Sequence, residues 1–258
     1  MPTDKQTVDW YDQNAAQYAK YLHEDEGKYH FGLEKPAMYA ELPDLGGKSV
    51  LSLGCGPGAD SAYLQSIGAT RSVGIDVSEK LVDIARDEHP ECEFHIMDME
   101  QLDFDDNAFD LVYSSLAMHY LPDWQSVLSE SYRVLKPGGV LLFSVGHPVS
   151  GAMHQTSDVE RKELYIGAKI NKQTHDVDIY GEYLQPITLR TGGDMDVVIY
   201  HRPLSMMVNE IIGSGFMLEK MIEPSPIEDM KKASLRHYKL HQTIPFVVIF
   251  KLLKPDLE

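Results

Sequence analysis

The stretch VLSLGCGPG at residues 50–58 decides the fold. A short apolar run enters a glycine-rich turn, and the residues behind it, 59–67, carry a helical pattern. Glycine permits the tight turn and lets the backbone approach a ligand closely, while a helix N-terminus favours anionic groups such as a carboxylate. Alone, the stretch predicts a strand, a loop and a helix, and it leaves open whether the loop binds a ligand.

Alternating strand and helix patterns continue from this stretch to residue 146. Such alternation predicts right-handed crossovers and a parallel sheet with helices on both faces. Two later strands are predicted at 216–222 and 244–252, and their short connection, with Pro224 and Pro226, favours an antiparallel pair. The second of them is expected to lie inside the edge that the first forms. The other predicted strands cover 49–53, 72–75, 93–97, 109–113 and 140–145.

The segment 147–203 interrupts this alternation directly after the fifth strand. Its hydrophobic periodicity weakens, and strand patterns at 187–190 and 197–200 flank Gly192-Gly193, which suggests a hairpin. We predict a lid over the substrate, because binding residues concentrate on loops held by a rigid scaffold. The chain thus divides into a helical N-terminal cap (1–47), a core (48–146), the lid insertion (147–203) and the C-terminal part of the core (204–258).

The chain is acidic, since 23 Lys and Arg residues against 40 Asp and Glu residues give a formal net charge of −17. This charge repels polyanions, and the sequence has no strong basic cluster, so we expect no nucleic-acid and no membrane partner. The two cysteines, Cys55 and Cys92, show neither a disulfide framework nor metal-site spacing. Because no apolar stretch typical of a signal peptide or membrane span occurs, the sequence predicts a cytoplasmic protein.

An acidic residue, Asp76, ends the second predicted strand 22 positions after Gly54. A carboxylate about 20 residues beyond a glycine loop can accept hydrogen bonds from ribose hydroxyls. The alternative is an aspartate at a helix entry, beside a cap formed by Ser78. Since Gly54-x-Gly56-x-x-Ala59 also satisfies the dinucleotide pattern, these residues do not separate NAD from S-adenosylmethionine.

Five sequence blocks follow one another: LGCGPG (53–58), GIDVS (74–78), DME (98–100), FDLVYS (109–114) and LKPGG (135–139). In this order they resemble the class I S-adenosylmethionine-dependent methyltransferases, of the small-molecule, methyltransferase type 11-like kind. The resemblance is close over 48–146 and looser towards the C-terminus. With the strand pattern it predicts an α/β, Rossmann-like fold, whose seven-stranded sheet is mostly parallel with one antiparallel strand. It implies S-adenosylmethionine as the cofactor.

The resemblance implies a role for each matching residue. Loop backbone would line the methionine part of the cofactor, a carboxylate would hold the ribose, and an aliphatic face, a carboxylate and a backbone N–H would meet the adenine. For Met99 a core side chain remains an alternative, as does plain packing for the N-terminal helix. The residues are Gly54, Cys55, Gly56 and Gly58 for methionine, Asp76 for ribose, Val77, Asp98 and Met99 for adenine, Ser114 and Leu116 closing the methionine side, and Tyr11 and Tyr18 covering the cofactor.

Three histidines are candidate general bases: His119 and His147 after strand ends, and His201 at the exit of the insertion. Ligands of open α/β sheets bind beyond the carboxyl ends of strands, and histidine titrates near neutral pH. A hydrogen-bonded structural histidine is the alternative in each case. Arg202 would either pair with a substrate carboxylate or bridge lid and core. No metal-ligand spacing occurs, so we expect no metal.

The sequence therefore predicts methyl transfer from S-adenosylmethionine to a small molecule, with the acceptor atom (O, N or C) left open. One alternative is a non-catalytic regulatory protein that binds S-adenosylmethionine, because a fold does not determine a function. A second alternative is an NAD-dependent oxidoreductase. The oligomeric state is open, with a homodimer among the options.

Overall fold

The computed structural model describes residues 3–24, 30–155, 164–171, 173–174, 177–190 and 195–256. Its helices are α1 (Lys5–Glu24), α2 (Lys35–Ala40), α3 (Ala59–Ser66), α4 (Glu79–Glu88), α5 (Gln125–Val134), α6 (Pro148–Gly151), α7 (Leu204–Gly213), α8 (Glu228–Ala233) and α9 (Leu235–His241), with a π-helical turn at His30–Glu34 and a 3-10 turn at Met118–Tyr120. Its strands are β1 (Ser49–Leu53), β2 (Arg71–Asp76), β3 (Glu93–Ile96), β4 (Phe109–Ser115), β5 (Leu135–Gly146), β6 (His154–Gln155), β7 (Leu164–Tyr165), β8 (Gly167–Ile170), β9 (Val177–Tyr180), β10 (Ile187–Arg190), β11 (Val198–His201), β12 (Met217–Ile222) and β13 (Val247–Leu253). None of the helices within these ranges is long and apolar enough to cross a membrane.

Seven strands form one sheet in the order β12-β13-β5-β4-β1-β2-β3. The pairs among β1 to β5 are parallel, and β13 is antiparallel to both of its neighbours, β5 and β12. The sheet is therefore mostly parallel with one antiparallel strand, and β13 lies inside the edge formed by β12. Both parts of this prediction are confirmed.

The fifth strand differs from its prediction at its start. It begins at Leu135 rather than at residue 140, and the LKPGG block forms a bulge in which Gly138 has φ +73°. Leu135 pairs with Phe109, and the backbone N–H of Gly138 donates to the carbonyl of Lys254 at 2.9 Å. These contacts with distant parts of the chain keep the block in the sheet, and a local sequence pattern does not reveal them.

The sheet is buried on both faces. Alternate residues of each central strand enter opposite clusters, as Leu51 and Val50 do in β1. Helices α5 and α7 contribute to the cluster on one face, and α2, α3, α8 and α9 to the cluster on the other. Near-continuous apolar strands are expected where a sheet is covered on both sides. This packing leaves the carboxyl ends of the parallel strands as the edge where polar groups can meet a ligand.

Helix α1 is fastened across this edge through the start of α4. Ser78 caps α4 as predicted, accepting a hydrogen bond from the backbone N–H of Leu81 at 3.2 Å. The Ser78 hydroxyl in turn donates to Oδ1 of Asp12 in α1 at 2.6 Å. The N-terminal helix thereby lies over the carboxyl ends of the strands.

The insertion contains three two-stranded ribbons in its described part: β6–β7, β8–β9 and β10–β11. The predicted hairpin is present, because β10 and β11 pair antiparallel from Ile187↔His201 to Arg190↔Val198. Its expected tip, Gly192-Gly193, lies outside the described residues. The backbone N–H of Val198 donates to the hydroxyl of Thr7 at 3.0 Å, so this hairpin contacts α1.

Candidate active site

A first cleft of about 610 Å³ opens at the carboxyl ends of β1, β2 and β4. Helix α1 forms one of its walls. Residues that are far apart in sequence, including several predicted to bind the cofactor, meet here. The lining comprises Thr3, Thr7, Val8, Tyr11, Tyr18, Gly54, Gly56, Asp76, Val77, Leu81, Met97, Met99, Ser115, Leu116, Ala117 and Tyr120.

The glycine loop needs its glycines for two different reasons. Gly54 has φ +64°, and a Cβ there would lie 2.4 Å from the Cβ of Ala117. Gly56 has φ +53° but faces open space, so a side chain there would enter the cleft. Gly58 packs behind the loop, where a Cβ would lie 2.7 Å from Cζ of Phe94. The loop therefore presents backbone to the cleft at two positions, and Gly58 supports it from behind.

Asp76 brings a carboxylate into the first cleft. Its Oδ2 accepts from the backbone N–H of Gly56 and its Oδ1 from that of Ser78, each at 2.9 Å. Burial raises the pKa of Asp76 above its ordinary value, although these backbone hydrogen bonds act in the opposite direction. Each carboxylate oxygen has a further lone pair, so Asp76 can accept from two more donors. The adjacent hydroxyls of a ribose fit that requirement.

Apolar side chains surround the space beside Asp76. Val77, Leu81, Met97 and Met99 line it, and the predicted contacts of Val77 and Met99 with adenine stay predictions. Asp98 is not among the residues that line either cleft described here, and its Oδ1 accepts from the N–H of Glu100 at 2.9 Å. Its predicted contact with the adenine amino group stays a prediction.

The two predicted residues at the end of β4, Ser114 and Leu116, have different surroundings. The hydroxyl of Ser114 is buried and donates to the carbonyl of Leu53 at 3.1 Å, so it joins β4 to β1. The next residue, Ser115, lines both clefts instead. Leu116 lines the first cleft with φ +50°, an uncommon backbone conformation for a residue with a side chain.

Three tyrosines stand together in the first cleft. Tyr11 and Tyr18, the predicted pair from α1, are joined by Tyr120 from the 3-10 turn. The hydroxyls of Tyr11 and Tyr120 are 2.5 Å apart. Burial is the main cause that raises the pKa of Tyr120 to about 12, and burial also raises the pKa of Tyr11 and Tyr18. These hydroxyls are therefore protonated at neutral pH.

A second cleft of about 550 Å³ lies on the other side of the glycine loop. It shares Tyr18, Gly54, Gly56 and Ser115 with the first cleft, so the two are continuous around the loop. Cys55 lines this second cleft, and its predicted contact with the methionine part of the cofactor stays a prediction. The rest of its lining is Leu22, His30, Phe31, Lys35, Tyr39, Pro57, Ala59 and Asp60.

A buried ion pair distinguishes the second cleft. The ammonium of Lys35 donates to Oδ2 of Asp60 and, at 2.9 Å, to the hydroxyl of Ser115. The hydroxyl of Tyr39 donates to Oδ1 of Asp60 at 3.0 Å. Burial lowers the pKa of Lys35, but Asp60 and the nearby Glu34 together raise it above its usual value. The lysine is thus a fixed cation on the wall of the cleft.

The predicted histidine bases line neither cleft in the part of the chain that the structure describes. Nε2 of His147 lies 2.8 Å from Oε1 of Glu223, and its Nδ1 accepts from the N–H of Val149 at 3.2 Å. Nε2 of His201 donates to the carbonyl of Tyr183 at 2.9 Å. These contacts favour the structural alternative, and the catalytic roles stay predictions.

His119 packs against the ring of Tyr120, with centroids 4.4 Å apart. Burial and the neighbouring cation of Arg202 lower the pKa of His119 to about 4. Arg202 itself is buried, donating to the carbonyl of Leu121 with its guanidinium 4.9 Å above the ring of Trp124. Of the two roles considered for Arg202, the structure supports the bridge between insertion and core.

Known proteins share this sequence pattern. Residues 51–143 match the family model of the methyltransferase domain. The phthiotriol/phenolphthiotriol dimycocerosates methyltransferase of Mycobacterium tuberculosis is 30% identical over 186 residues, which cover 70% of this chain and 66% of that enzyme. The malonyl-[acyl-carrier protein] O-methyltransferase of Salmonella typhimurium is 36% identical over 118 residues, 45% of this chain and 47% of that enzyme.

A solved structure shares the fold. An S-adenosylmethionine dependent methyltransferase from Mesorhizobium loti is 28% identical, with a TM-score of 0.69 over 85% of this chain and 97% of that one. The chain belongs to the class I S-adenosylmethionine-dependent methyltransferases. The predicted family and its cofactor, S-adenosylmethionine, are confirmed, and these similarities give no support to the NAD alternative.

Several cleft residues of this methyltransferase were not predicted from its sequence. Tyr120 directly follows His119, a predicted base, and Ser115 directly follows Ser114, a predicted cofactor residue. Lys35 and Tyr39 come from α2 and Asp60 from α3, and none of the three belongs to a motif. A polar residue directly after a buried strand is the one available signal, and it applies to Ser115 only.

Proposed function

We propose that this chain transfers the methyl group of S-adenosylmethionine to a small-molecule acceptor. The observation that carries the proposal is the first cleft, which gathers residues from separate sequence blocks at one sheet edge. Glycine-loop backbone, the Asp76 carboxylate and the apolar pair Val77 and Met99 face the same space. This combination suits a ligand that contains a ribose and an adenine.

The residues present fit S-adenosylmethionine along both clefts. Asp76 would accept from the ribose hydroxyls, and Val77, Leu81, Met97 and Met99 would surround the adenine. The second cleft would hold the methionine end, with Lys35 offering a cation to its carboxylate. When bound, the cofactor supplies an electrophilic methyl group on sulfur, and the protein supplies position and electrostatics.

The chain itself would orient the acceptor and exclude water. Helix α1 covers the first cleft, which limits access of solvent to the reacting groups. Tyr11 and Tyr120 place hydroxyls in the cleft that can exchange hydrogen bonds with an acceptor. Their raised pKa values make them poor proton acceptors at neutral pH, since an effective base has a pKa near the working pH. The site therefore suits an acceptor that arrives already nucleophilic.

We propose that the methyl acceptor is a small molecule. The two methyltransferases named above act, by their names, on a lipid and on a carrier-protein-bound malonyl group, so relatives differ in their acceptor. The test is to incubate the protein with S-adenosylmethionine and a metabolite panel, and to measure S-adenosylhomocysteine release. We expect release with at least one acceptor, and slower release with Asp76→Ala when S-adenosylmethionine is limiting.

Three outcomes separate the competing functions. Release of S-adenosylhomocysteine that depends on an acceptor supports the enzyme. Tight binding of S-adenosylmethionine in calorimetry without turnover on any acceptor would favour the regulatory protein. Stabilisation of the fold by NADH but not by S-adenosylhomocysteine would reject the proposal altogether.

We further propose that residues 147–203 act as a lid on the acceptor side. The supporting contact is the hydrogen bond from Val198 to Thr7, a residue that lines the first cleft. Closure of such a segment would exclude water during methyl transfer. His147→Ala and His201→Ala should keep cofactor affinity and show lower turnover or a raised acceptor KM. Normal kinetics of both variants on the true acceptor would remove the lid proposal.

A further inference from the structure

A fully buried carboxylate lies behind the two clefts. Glu34 is the last residue of the π-helical turn, and its exposed fraction is 0%. Its Oε1 accepts hydrogen bonds from the hydroxyls of Ser144 at 2.6 Å and Ser115 at 3.0 Å. Ser115 ends β4 and Ser144 lies near the end of β5, so one oxygen atom joins two neighbouring strand ends.

The second oxygen of Glu34 faces a lysine and a histidine. Oε2 lies 3.8 Å from Nζ of Lys35 and 4.0 Å from Nδ1 of His30, and it has no hydrogen-bond partner among the described residues. Burial raises the pKa of Glu34, and the charge of Lys35 acts against that rise. The two oxygens thus have different roles. Oε1 connects the ends of β4 and β5 through hydrogen bonds, and Oε2 places negative charge beside Lys35 of the second cleft.

The contact with Ser144 continues to the first cleft. Because the Ser144 hydroxyl donates its proton to Glu34, its lone pairs are free to accept, and they accept from the N–H of Leu116 at 3.0 Å. The carbonyl of Ser144 shares the same N–H at 3.1 Å. Leu116 is one of two residues other than glycine with positive φ in the described chain. Such a conformation persists only where the surroundings hold it.

We propose that Glu34 is a positioning residue for methyl transfer, acting through Ser144 on Leu116 and through its charge on Lys35. Through Ser144 it holds the strained end of β4 that lines the first cleft. Through Lys35 it keeps the cation of the second cleft in place. The inference rests on the proposed function for its consequence in turnover, but its geometry can be tested without any acceptor.

The stability of the fold alone does not explain why a carboxylate is buried at position 34. A buried ionic group often stabilises a fold no better than apolar residues of similar size. What an apolar residue cannot do is orient the Ser144 hydroxyl towards Leu116 or offset the charge of Lys35. The position of Glu34 between the clefts therefore points to site geometry rather than to packing.

The first experiment measures amide hydrogen exchange at Leu116. Ser144→Ala removes the hydroxyl acceptor and leaves the carbonyl, so we expect faster exchange at Leu116 and an intact fold. Ser131→Ala is the matched control, because that serine is equally buried in α5 and its hydroxyl has no hydrogen-bond partner among the described residues. Unchanged exchange at Leu116 in Ser144→Ala would overturn the proposed link.

The second experiment distinguishes the roles of the two Glu34 oxygens by combining calorimetry with amide exchange. Glu34→Gln keeps an acceptor for the serines but removes the negative charge beside Lys35. We expect normal exchange at Leu116 with S-adenosylhomocysteine binding weakened by up to about tenfold, because the ammonium of Lys35 loses a neighbouring charge that helps to hold it in place. Glu34→Met should impair both readouts. If Glu34→Gln binds as tightly as the wild type, the charge of Glu34 has no positioning role.

Turnover is measured last, so that the two proposals can fail separately. Ser144→Ala should lower kcat more than it raises the Kd for S-adenosylhomocysteine, a split that general destabilisation does not produce. Absence of turnover in the wild-type protein would contradict the proposed function and leave the exchange and binding results standing. Altered turnover without altered exchange at Leu116 would contradict the positioning role.

Discussion

The two clefts on either side of the glycine loop are built differently. The first has apolar walls, three tyrosines and the Asp76 carboxylate, and most of its floor comes from residues that directly follow strand ends. The second contains a buried ion pair, Lys35 with Asp60, supplied by the start of α2 and the first turn of α3. We infer that the first cleft is organised for ligand affinity, whereas the second also contributes to the stability of the fold.

The largest expected effect lies in the second cleft. Lys35→Met leaves the fully buried Glu34 and the partly buried Asp60 without their cation, which should lower the free energy of unfolding by about 3–5 kcal/mol. Urea denaturation measures the change. Lys232→Met is the control, because the ion pair of Lys232 with Asp229 is exposed to solvent and should contribute little to stability. Equal stability of the two variants would show that the second cleft has no structural role.

The loop between the clefts is expected to be nearly as sensitive. Gly54→Ala adds the cost of a left-handed residue and a collision with Ala117, together about 2–4 kcal/mol of unfolding free energy. Gly47→Ala is a matched control with φ +75° and open space around its Cβ. It should show the conformational cost alone, about 1–2 kcal/mol. Equal losses in both variants would exclude the close approach of Ala117.

In the first cleft the expected loss is in affinity. Asp76→Ala should weaken S-adenosylhomocysteine binding at least tenfold, since one or two charge-assisted hydrogen bonds contribute about 1.5–3 kcal/mol each. Asp98→Ala provides the comparison, and we expect a smaller loss because Asp98 does not line the described cleft. Calorimetry decides between them, with the melting temperature checked for each variant. An unchanged Kd for Asp76→Ala would reject the ribose assignment.

Sequence reasoning reached residues of both clefts but missed the ion pair of the second for a physical reason. Gly54, Asp76 and Val77 follow buried strands directly, so local pattern and strand order place them at one edge. Lys35 and Asp60 meet only because the chain before β1 packs against the glycine loop, a contact between segments with no shared periodicity. The strands were predictable because each carries its own apolar run, and the short connection between the last two indicated their antiparallel pairing. The order of the other five strands in the sheet was not predicted.

The three histidines show the limit of this reasoning. Position after a strand end correctly indicated the edge of the sheet, but it did not determine which way each ring faces. His147 instead contacts Glu223, which follows β12, and His201 donates to the carbonyl of Tyr183 within the insertion. Side-chain direction beyond a strand end depends on the loop conformation, which the sequence pattern does not specify.

The smallest expected effect is that of His119, which lies outside both clefts, on the pH dependence of the free energy of unfolding. In the folded state the pKa of His119 is about 4, below the value of about 6.5 in the unfolded chain. The imidazole of His119 is therefore protonated more readily in the unfolded state. The contribution of this histidine to stability is therefore present above pH 6.5 and is lost as the pH falls towards 4.

Removing the imidazole should remove this pH dependence. Between pH 7 and pH 5 the wild type should lose about 2 kcal/mol more unfolding free energy than His119→Gln does. Urea denaturation at both pH values gives the difference, and the comparison within each protein cancels titration of groups common to both. S-adenosylhomocysteine affinity at pH 7 should stay unchanged, because the ring lines neither described cleft. Parallel pH profiles would show that His119 titrates normally in the folded protein and would restore it as a candidate base.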